Sequence, residues 1–239
     1  MDLSHQVGVI LNSNQSVRDL LAQQRLVVCF GQRATLCFAI AGPLRDCQVV
    51  GACTSASEAL ACIRAQQPDF LLCGDQLETG CGINLAITVK QQWPTLRTLV
   101  LISGRPATAS LKAAIDAGCD GMLLDSSLGA GTASAAVATV CGGGVVIDRR
   151  LIERLRANAN SAGPGPIQAL SSRERDVLTR LVHGDNNAEI AAELVITIDT
   201  VKSHIKNLLL KLNARSRTQA AVQALQLGLV DWPSDPEDR

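Results

Sequence analysis

The chain has 239 residues, of which 47% are hydrophobic, so it can form one or two domains with a sizeable buried core. Its 22 basic and 22 acidic side chains give zero formal net charge, so any affinity for nucleic acid must come from local charge clusters. Only 2% of the residues are aromatic, which argues against a base-stacking platform for single strands. The sequence shows neither an apolar run of membrane-spanning length nor a signal peptide, so we expect a cytoplasmic protein that does not engage a membrane.

The first part of the chain alternates helical and β-rich patterns. An N-terminal extension, residues 1–24, carries one helical pattern at 16–24. Residues 25–148 then contain β-rich runs at 25–30, 47–53, 69–74, 98–103 and 121–124, with helical patterns at 33–41, 55–67, 83–92, 109–117 and 132–140. Aliphatic runs separated by helices are typical of buried parallel strands. We therefore expect an α/β domain with a five-stranded doubly wound parallel sheet.

Two segments lie outside the predicted domains: a connecting segment and a C-terminal tail. Residues 149–168 combine a charged helical pattern with the run NANSAGPGP, in which alternating Gly and Pro cannot continue a helix. We expect a helix followed by a flexible linker there. Residues 231–239 are acidic and interrupted by Pro, so they are predicted to form a loose tail.

Residues 169–230 contain four short amphipathic helical patterns, each opened by a capping signal. Ser171 is followed three residues later by Glu174, Asn186 by Glu189, and Ser216 by Gln219; Thr197 can cap the third helix. Gly184 is a natural stop after the first helix. These signals predict an all-α domain of four helices.

The third helix separates apolar from polar residues. Its apolar stripe consists of Val201, Ile205, Leu208, Leu209 and Leu212. Five basic residues and no acidic one lie between Thr200 and Arg217. Such a basic face can be the solvated side of an ordinary helical bundle, but four capped helices joined by short turns favour a helix that enters a DNA major groove. His204 lies at the border of the stripe and is interpreted as a structural histidine.

This stretch resembles the helix-turn-helix domain of LuxR-type regulators, including the NarL/FixJ response regulators. The matching residues include Leu170, Ser171, Glu174, Gly184, Glu189, Ile190, Thr197, Thr200, Val201, Lys202, His204, Asn207, Lys211 and Thr218. The resemblance implies that Lys202, Ser203 and Lys206 face DNA bases. It also implies that Thr200, Asn207 and Lys211 bind phosphates. In addition, the fourth helix, 216–227, is implied to pair two protomers into a homodimer.

The α/β part resembles a receiver domain of the flavodoxin-like type, through the segments PDFLLCGDQLETGCGINL, LVLISG and AGCDGMLLDSS. A working receiver needs acidic residues after strand one, an aspartate at the end of strand three, Ser or Thr after strand four and Lys after strand five. Here Cys29 and Phe30 stand at the acidic positions after strand one, and Gly74 stands at the aspartate position of strand three. Asp125 stands at the lysine position after strand five. Only Ser103, after strand four, matches the pattern.

These departures predict a degenerate receiver, or pseudo-receiver. Cys and Phe are poor ligands for the hard cation that phosphoryl transfer needs, and Asp125 adds repulsion where a positive charge is required. Asp75 lies one residue beyond the acceptor position, and a one-residue shift in a strand turns a side chain to the opposite face. We therefore expect no phosphoacceptor and control without aspartyl phosphorylation.

All nine cysteines precede residue 149, and their odd number argues against a full disulfide framework. Without a CxxC pair, a metal site has little support, and reduced, buried thiols are expected. A sharper alternative assigns redox sensing or ligand binding to Cys29 and Cys73, which are both expected near the carboxyl edge of adjacent strands.

Two classes of function follow. One is a transcription regulator that binds double-stranded DNA as a homodimer and needs no cofactor. The other is a signalling interaction module whose pseudo-receiver docks a partner protein or senses redox state or a small ligand. The sequence offers no nucleophile–base pair or phosphate loop, because the Gly142–Gly144 run lacks the spacing and lysine of a P-loop, so we do not expect an enzyme.

Overall fold

The computed structural model describes residues 15, 17–128, 132–157 and 169–232. We call residues 17–157 the sheet half and residues 169–232 the helical half. Residues 15 and 17–21 are helical, in the region where the N-terminal extension is expected to form a helix. The expected linker at 158–168 and residues 233–239 of the expected tail lie outside the described residues.

The sheet half contains one parallel sheet with the strand order β2-β1-β3-β4-β5-β6. The strands are β1 (Arg25–Cys29), β2 (Gln48–Cys53), β3 (Phe70–Gly74), β4 (Arg97–Ile102), β5 (Gly121–Leu124) and β6 (Val146–Ile147). The doubly wound parallel fold is confirmed, but the prediction of five strands was one too few. Strand β6 has two residues, which is too short to produce a recognisable pattern.

Helices cover both faces of the sheet. They are α1 (Arg33–Ala41), α2 (Ala56–Gln66), α3 (Gly82–Gln92), α4 (Thr108–Ala117), α5 (Thr132–Cys141) and α6 (Arg149–Ala157). One apolar core includes α2, α3, α4 and α6, and the other includes α1 and α5. Strand β1 serves both, because Val27 and Cys29 point into the first core while Leu26 and Val28 point into the second.

Helix α6 belongs to this packed body. Leu151, Ile152 and Leu155 are buried in the first core, so the helix expected at the start of the linker is fixed against the sheet half. None of the described helices is long and apolar enough to cross a membrane.

The helical half contains α7 (Ser172–Val182), α8 (Asn187–Leu194), α9 (Ile198–Lys211) and α10 (Arg217–Gln226). Ser171 and Asn186 form complete capping boxes with Glu174 and Glu189, as predicted. Gly184 follows α7 with φ of +91°, a left-handed conformation that favours glycine. The four predicted helices are therefore present, each close to its predicted start.

Candidate nucleic-acid interface and the surfaces around it

Helix α9 presents its polar face to solvent. The N-cap residue of α9 is Thr197, whose hydroxyl accepts a hydrogen bond of 3.2 Å from the backbone N–H of Thr200. Val201 and Leu208 are buried in the core of the helical half, which fixes the rotation of the helix. Because that stripe faces inward, the predicted DNA-contacting groups are exposed: Thr200, Lys202, Ser203, Lys206 and Asn207.

Three side chains on this face have local partners. The hydroxyls of Thr200 and Thr197 share a hydrogen bond of 2.8 Å. The ammonium of Lys202 lies 3.0 Å from a carboxylate oxygen of Asp199 in an exposed pair, and the hydroxyl of Ser203 donates to the backbone oxygen of Asp199 at 2.9 Å. Exposed ion pairs are weak, so these groups can exchange Asp199 for DNA at small cost. Asp199 also places a negative charge in the first turn of α9, where the helix dipole favours it.

Lys211 differs from the other predicted DNA-contacting residues. Its ammonium lies 2.7 Å from the carboxylate of Glu174 and 3.2 Å from the backbone oxygen of Ala169. Glu174 is 4% exposed and also caps α7. The hydrogen bond from Lys211, with others from Ser171, lowers the pKa of Glu174 from 4.5 to about 2. Lys211 therefore joins the end of α9 to the start of α7.

His204 and Leu210 complete this helix. His204 is half-buried, in keeping with its expected place at the border of the apolar stripe. The side chain of Leu210 is 72% exposed within the polar face. A single exposed leucine is common on protein surfaces, so we assign no function to Leu210.

At the carboxyl edge of the sheet, Phe30 fills the space beside Gly74. A Cβ atom placed on Gly74 would lie 3.0 Å from the Phe30 ring, which is tighter than ordinary packing. The ring is buried in the core that contains α1 and α5. The position expected for a phosphoacceptor thus has no carboxylate, and an aromatic ring occupies the room for one.

Asp75 points elsewhere, toward the loop after β4. One carboxylate oxygen accepts hydrogen bonds from the backbone N–H of Ser103 at 3.0 Å and from its hydroxyl at 2.8 Å. The other oxygen accepts from the backbone N–H of Gly104 at 3.3 Å. Asp75 is buried, so these donors take the place of water around its charge. Its carboxylate is therefore engaged by the protein itself.

Asp125 lies apart from this arrangement. It begins a single 3-10 turn after β5 and is exposed. Among the described residues, no group of three or more His, Cys, Asp or Glu side chains is arranged to hold a metal ion.

Cys29 and Cys73 lie side by side on β1 and β3 and are fully buried. Burial raises the pKa of the Cys29 thiol to about 12 and that of Cys73 well above its usual value of 9.0. Their thiols donate weakly to the backbone oxygens of Ser55 and Gly82, at 3.5 and 3.7 Å. Since the reactive form is the thiolate, this environment works against the redox alternative.

Helix α10 is packed between the sheet half and the other helices of the helical half. Ala220 and Ala224 lie in the core of the helical half, whereas Val222 and Leu225 lie in the core that contains α4 and α6. The sheet half therefore covers one face of the helix that the resemblance assigns to protomer pairing.

Polar contacts fix the start of α10 against the end of α4. The buried hydroxyl of Thr218 donates to the backbone oxygen of Cys119 at 3.0 Å. The amide of Gln219 donates to the Asp116 carboxylate at 2.9 Å. Gly118, with φ of +83°, leaves room for Ser216, because an added Cβ would lie 3.1 Å from the Ser216 Cβ.

This contact was not predicted from the sequence. Ser216 was interpreted only as a capping residue of its own helix, and Thr218 only as a residue that matches the LuxR-type pattern. One signal was available: α10 has small or apolar residues on two faces, Ala220 and Ala224 on one and Val222 and Leu225 on the other. A helix with two such faces needs a second partner.

The chain is similar in sequence to known proteins. A family model described as bacterial regulatory proteins, luxR family, matches residues 168–224. The chain is 31% identical over 185 residues to the response regulator protein VraR of Staphylococcus aureus, covering 77% of this chain and 87% of VraR. It is 34% identical over 192 residues to the DNA-binding transcriptional activator DevR/DosR of Mycobacterium tuberculosis, covering 80% of this chain and 88% of that protein. The solved RcsB response regulator of Salmonella typhimurium matches with a TM-score of 0.46 and 22% identity, covering 81% of this chain and 94% of RcsB.

Proposed function

Since the chain belongs to the NarL/FixJ family of response regulators with a LuxR-type helix-turn-helix, we propose that this DNA-binding transcription regulator acts as a homodimer controlled without aspartyl phosphorylation. The family consists of transcription regulators rather than enzymes. The observation that carries DNA recognition is the exposed polar face of α9, with Lys202, Ser203 and Lys206 next to one another. In this proposal these three residues read bases in the major groove, and Thr200 and Asn207 bind phosphates. Lys211 binds a phosphate only by exchanging or sharing its contact with Glu174.

Control without phosphorylation is supported by the carboxyl edge of the sheet. Phe30 fills the space beside Gly74, and the carboxylate of Asp75 is engaged by Ser103 and Gly104. A nucleophilic carboxylate must approach the phosphorus atom of a donor along an open path. Asp75 could do so only by giving up its hydrogen bonds inside the protein.

The position of α10 supports a different switch. In the proposed function, two protomers pair through the face of α10 that carries Val222 and Leu225, which the sheet half covers here. In the proposed function the arrangement seen here is a closed form, and separation of the two halves releases α10 for dimerisation on DNA. The regulator then responds to whatever changes the balance between closed and open forms.

DNA recognition is tested on a binding site recovered by genome-wide mapping of DNA bound to the full chain. Lys202→Ala and Lys206→Ala should each weaken binding by about tenfold to a hundredfold and lower its salt dependence. Lys112→Ala, which removes an exposed lysine on α4, is the matched control and should bind normally. Unchanged affinity in the double Lys202→Ala, Lys206→Ala variant would refute recognition by α9.

A further inference from the structure

A cavity of about 150 Å³ lies where the sheet half, α7 and α10 meet. The sheet half contributes Thr139, Val145, Val146, Ile147 and Ile152; the helical half contributes Val182, His183, Ala221, Val222, Leu225 and Trp232. Most of this lining is aliphatic. Among the described residues that line it, the polar side chains are those of Thr139 and His183, besides the ring nitrogen of Trp232; His183 is exposed and Thr139 is half-buried. The cavity thus combines an apolar interior with a polar side near solvent.

We propose that this cavity binds a small aromatic molecule with one hydroxyl or similar polar group, and that the bound molecule holds the closed form. A cavity of about this volume with aliphatic walls accommodates a benzene-sized ring. Thr139 and His183 can both exchange hydrogen bonds with a hydroxyl, which favours a phenol over a plain hydrocarbon. A ligand of about seven heavy atoms is expected to bind with a dissociation constant on the order of 1 mM or tighter.

The regulatory effect follows from the position of the walls. Val145 and Ile152 belong to the sheet half, whereas Val222 and Leu225 belong to α10, so separating the halves removes part of the binding site. A ligand that binds only the closed form opposes release of α10. The inference rests on the proposed function, because it names an input for the same switch.

Trp232 provides a direct measurement of binding. The chain has two tryptophans, and the Trp93→Phe variant leaves Trp232, which lines the cavity, as the remaining indole fluorophore. Phenol and toluene are the probes. We expect saturable changes in Trp232 fluorescence with both, phenol binding more tightly, and Thr139→Val should reduce that preference while leaving toluene binding intact.

Filling the cavity tests the site itself. Val145→Phe places a ring on the sheet-half wall, so it should abolish binding of both probes and weaken DNA binding even without ligand. Val195→Phe makes the same exchange at an exposed turn and should keep probe binding. If Val145→Phe does not fold, Ala221→Leu fills the cavity from the opposite wall and should have the same effect on probe binding.

The effect of the bound ligand on DNA affinity is measured in the same samples. With phenol at ten times its dissociation constant, DNA affinity should fall by about tenfold if the closed form predominates. Absence of saturable probe binding, or binding unaffected by the filled cavity, would overturn the ligand site. Probe binding without any change in DNA affinity would overturn the regulatory role. A chain that binds the probes but no DNA would instead refute the proposed function, so the failures are distinguishable.

Discussion

The carboxylate of Asp75 is held by Ser103 through both the backbone N–H and the hydroxyl, at 3.0 and 2.8 Å. Ser103 is the one residue of this sheet edge that matches the receiver pattern, and its hydroxyl is already used inside the protein. The loop that follows leads into α4, whose C-terminal end carries the contacts to α10. A protein carboxylate therefore fixes the loop at one end of the helix against which α10 is docked.

This arrangement predicts that the protein does not form a phosphoaspartate. Incubation with acetyl phosphate and magnesium should leave the intact mass unchanged, because Gly74 has no acceptor group and Asp75 is engaged by Ser103 and Gly104. Gly74→Asp should also remain unmodified and lose stability, by about 1–3 kcal/mol, because the new side chain meets the Phe30 ring. A stable adduct of one phosphoryl group at Asp75 in the unmodified chain would contradict the prediction.

A second prediction concerns the contact between α10 and α4. Thr218→Val keeps the shape of a buried side chain but removes its hydrogen bond to the backbone oxygen of Cys119. Loss of one such bond should shift the equilibrium toward the open form by about 1 kcal/mol, which raises the ratio of open to closed molecules roughly fivefold. Distances between spin labels on α4 and α7 should broaden, and DNA should bind about fivefold more tightly if the closed form predominates.

The control for this experiment is Thr179→Val. The hydroxyl of Thr179 donates to the backbone oxygen of Arg175 at 3.0 Å on the exposed side of α7, away from the contact with α4. This variant should leave both the label distances and the DNA affinity unchanged. Identical behaviour of the two variants would show that the Thr218 contact does not hold the halves together.

Much of the fold could be predicted because the local signals agree with the packing. The strands β1, β3, β4 and β5 are rich in buried apolar residues, and Ser171 and Asn186 form capping boxes, which are patterns of neighbouring residues. Two features escaped prediction. Strand β6 has two residues, too few for a recognisable pattern. The docking of α10 depends on groups distant in sequence, such as Thr218 and Cys119, and no local periodicity encodes that contact.

In the candidate site, too, some features were predictable from local sequence and others were not. The exposed face of α9 was predictable from helical spacing, since Val201 and Leu208 fix which side faces inward. The partner of Lys211 was not, because the pair with Glu174 joins two helices whose crossing the sequence does not specify.

Thiol labelling separates the redox alternative from a structural role for the cysteines. The thiols of Cys29 and Cys73 are buried and have raised pKa values, whereas Cys37 is exposed. With iodoacetamide near neutral pH, Cys37 should react much faster than either buried thiol in the folded protein, and all nine cysteines should react after unfolding. Labelling of Cys29 or Cys73 at the rate of Cys37, with a change in DNA affinity on oxidation, would instead support redox sensing.

The pair formed by Glu174 and Lys211 predicts a specific dependence of stability on pH. The pKa of Glu174 is lowered to about 2 in the folded chain, chiefly by the hydrogen bond from Lys211, whereas an unfolded glutamate titrates near its usual 4.5. The folded state therefore binds this proton less readily than the unfolded state. The resulting stabilisation is fully present above about pH 5 and is lost as the pH falls toward about 2.

Comparison of the chain with its Glu174→Gln variant isolates this effect. The variant should be less stable by about 1–3 kcal/mol at neutral pH, and the difference should shrink steadily below about pH 5. Urea unfolding of the full chain, followed by circular dichroism at several pH values, measures that difference. Glu153→Gln is the matched control, because Glu153 forms an exposed pair with Arg149 at 3.0 Å and should show little difference at any pH. A difference for Glu174→Gln that stays constant from neutral to acid pH would show that the carboxylate charge is not what joins α7 to α9.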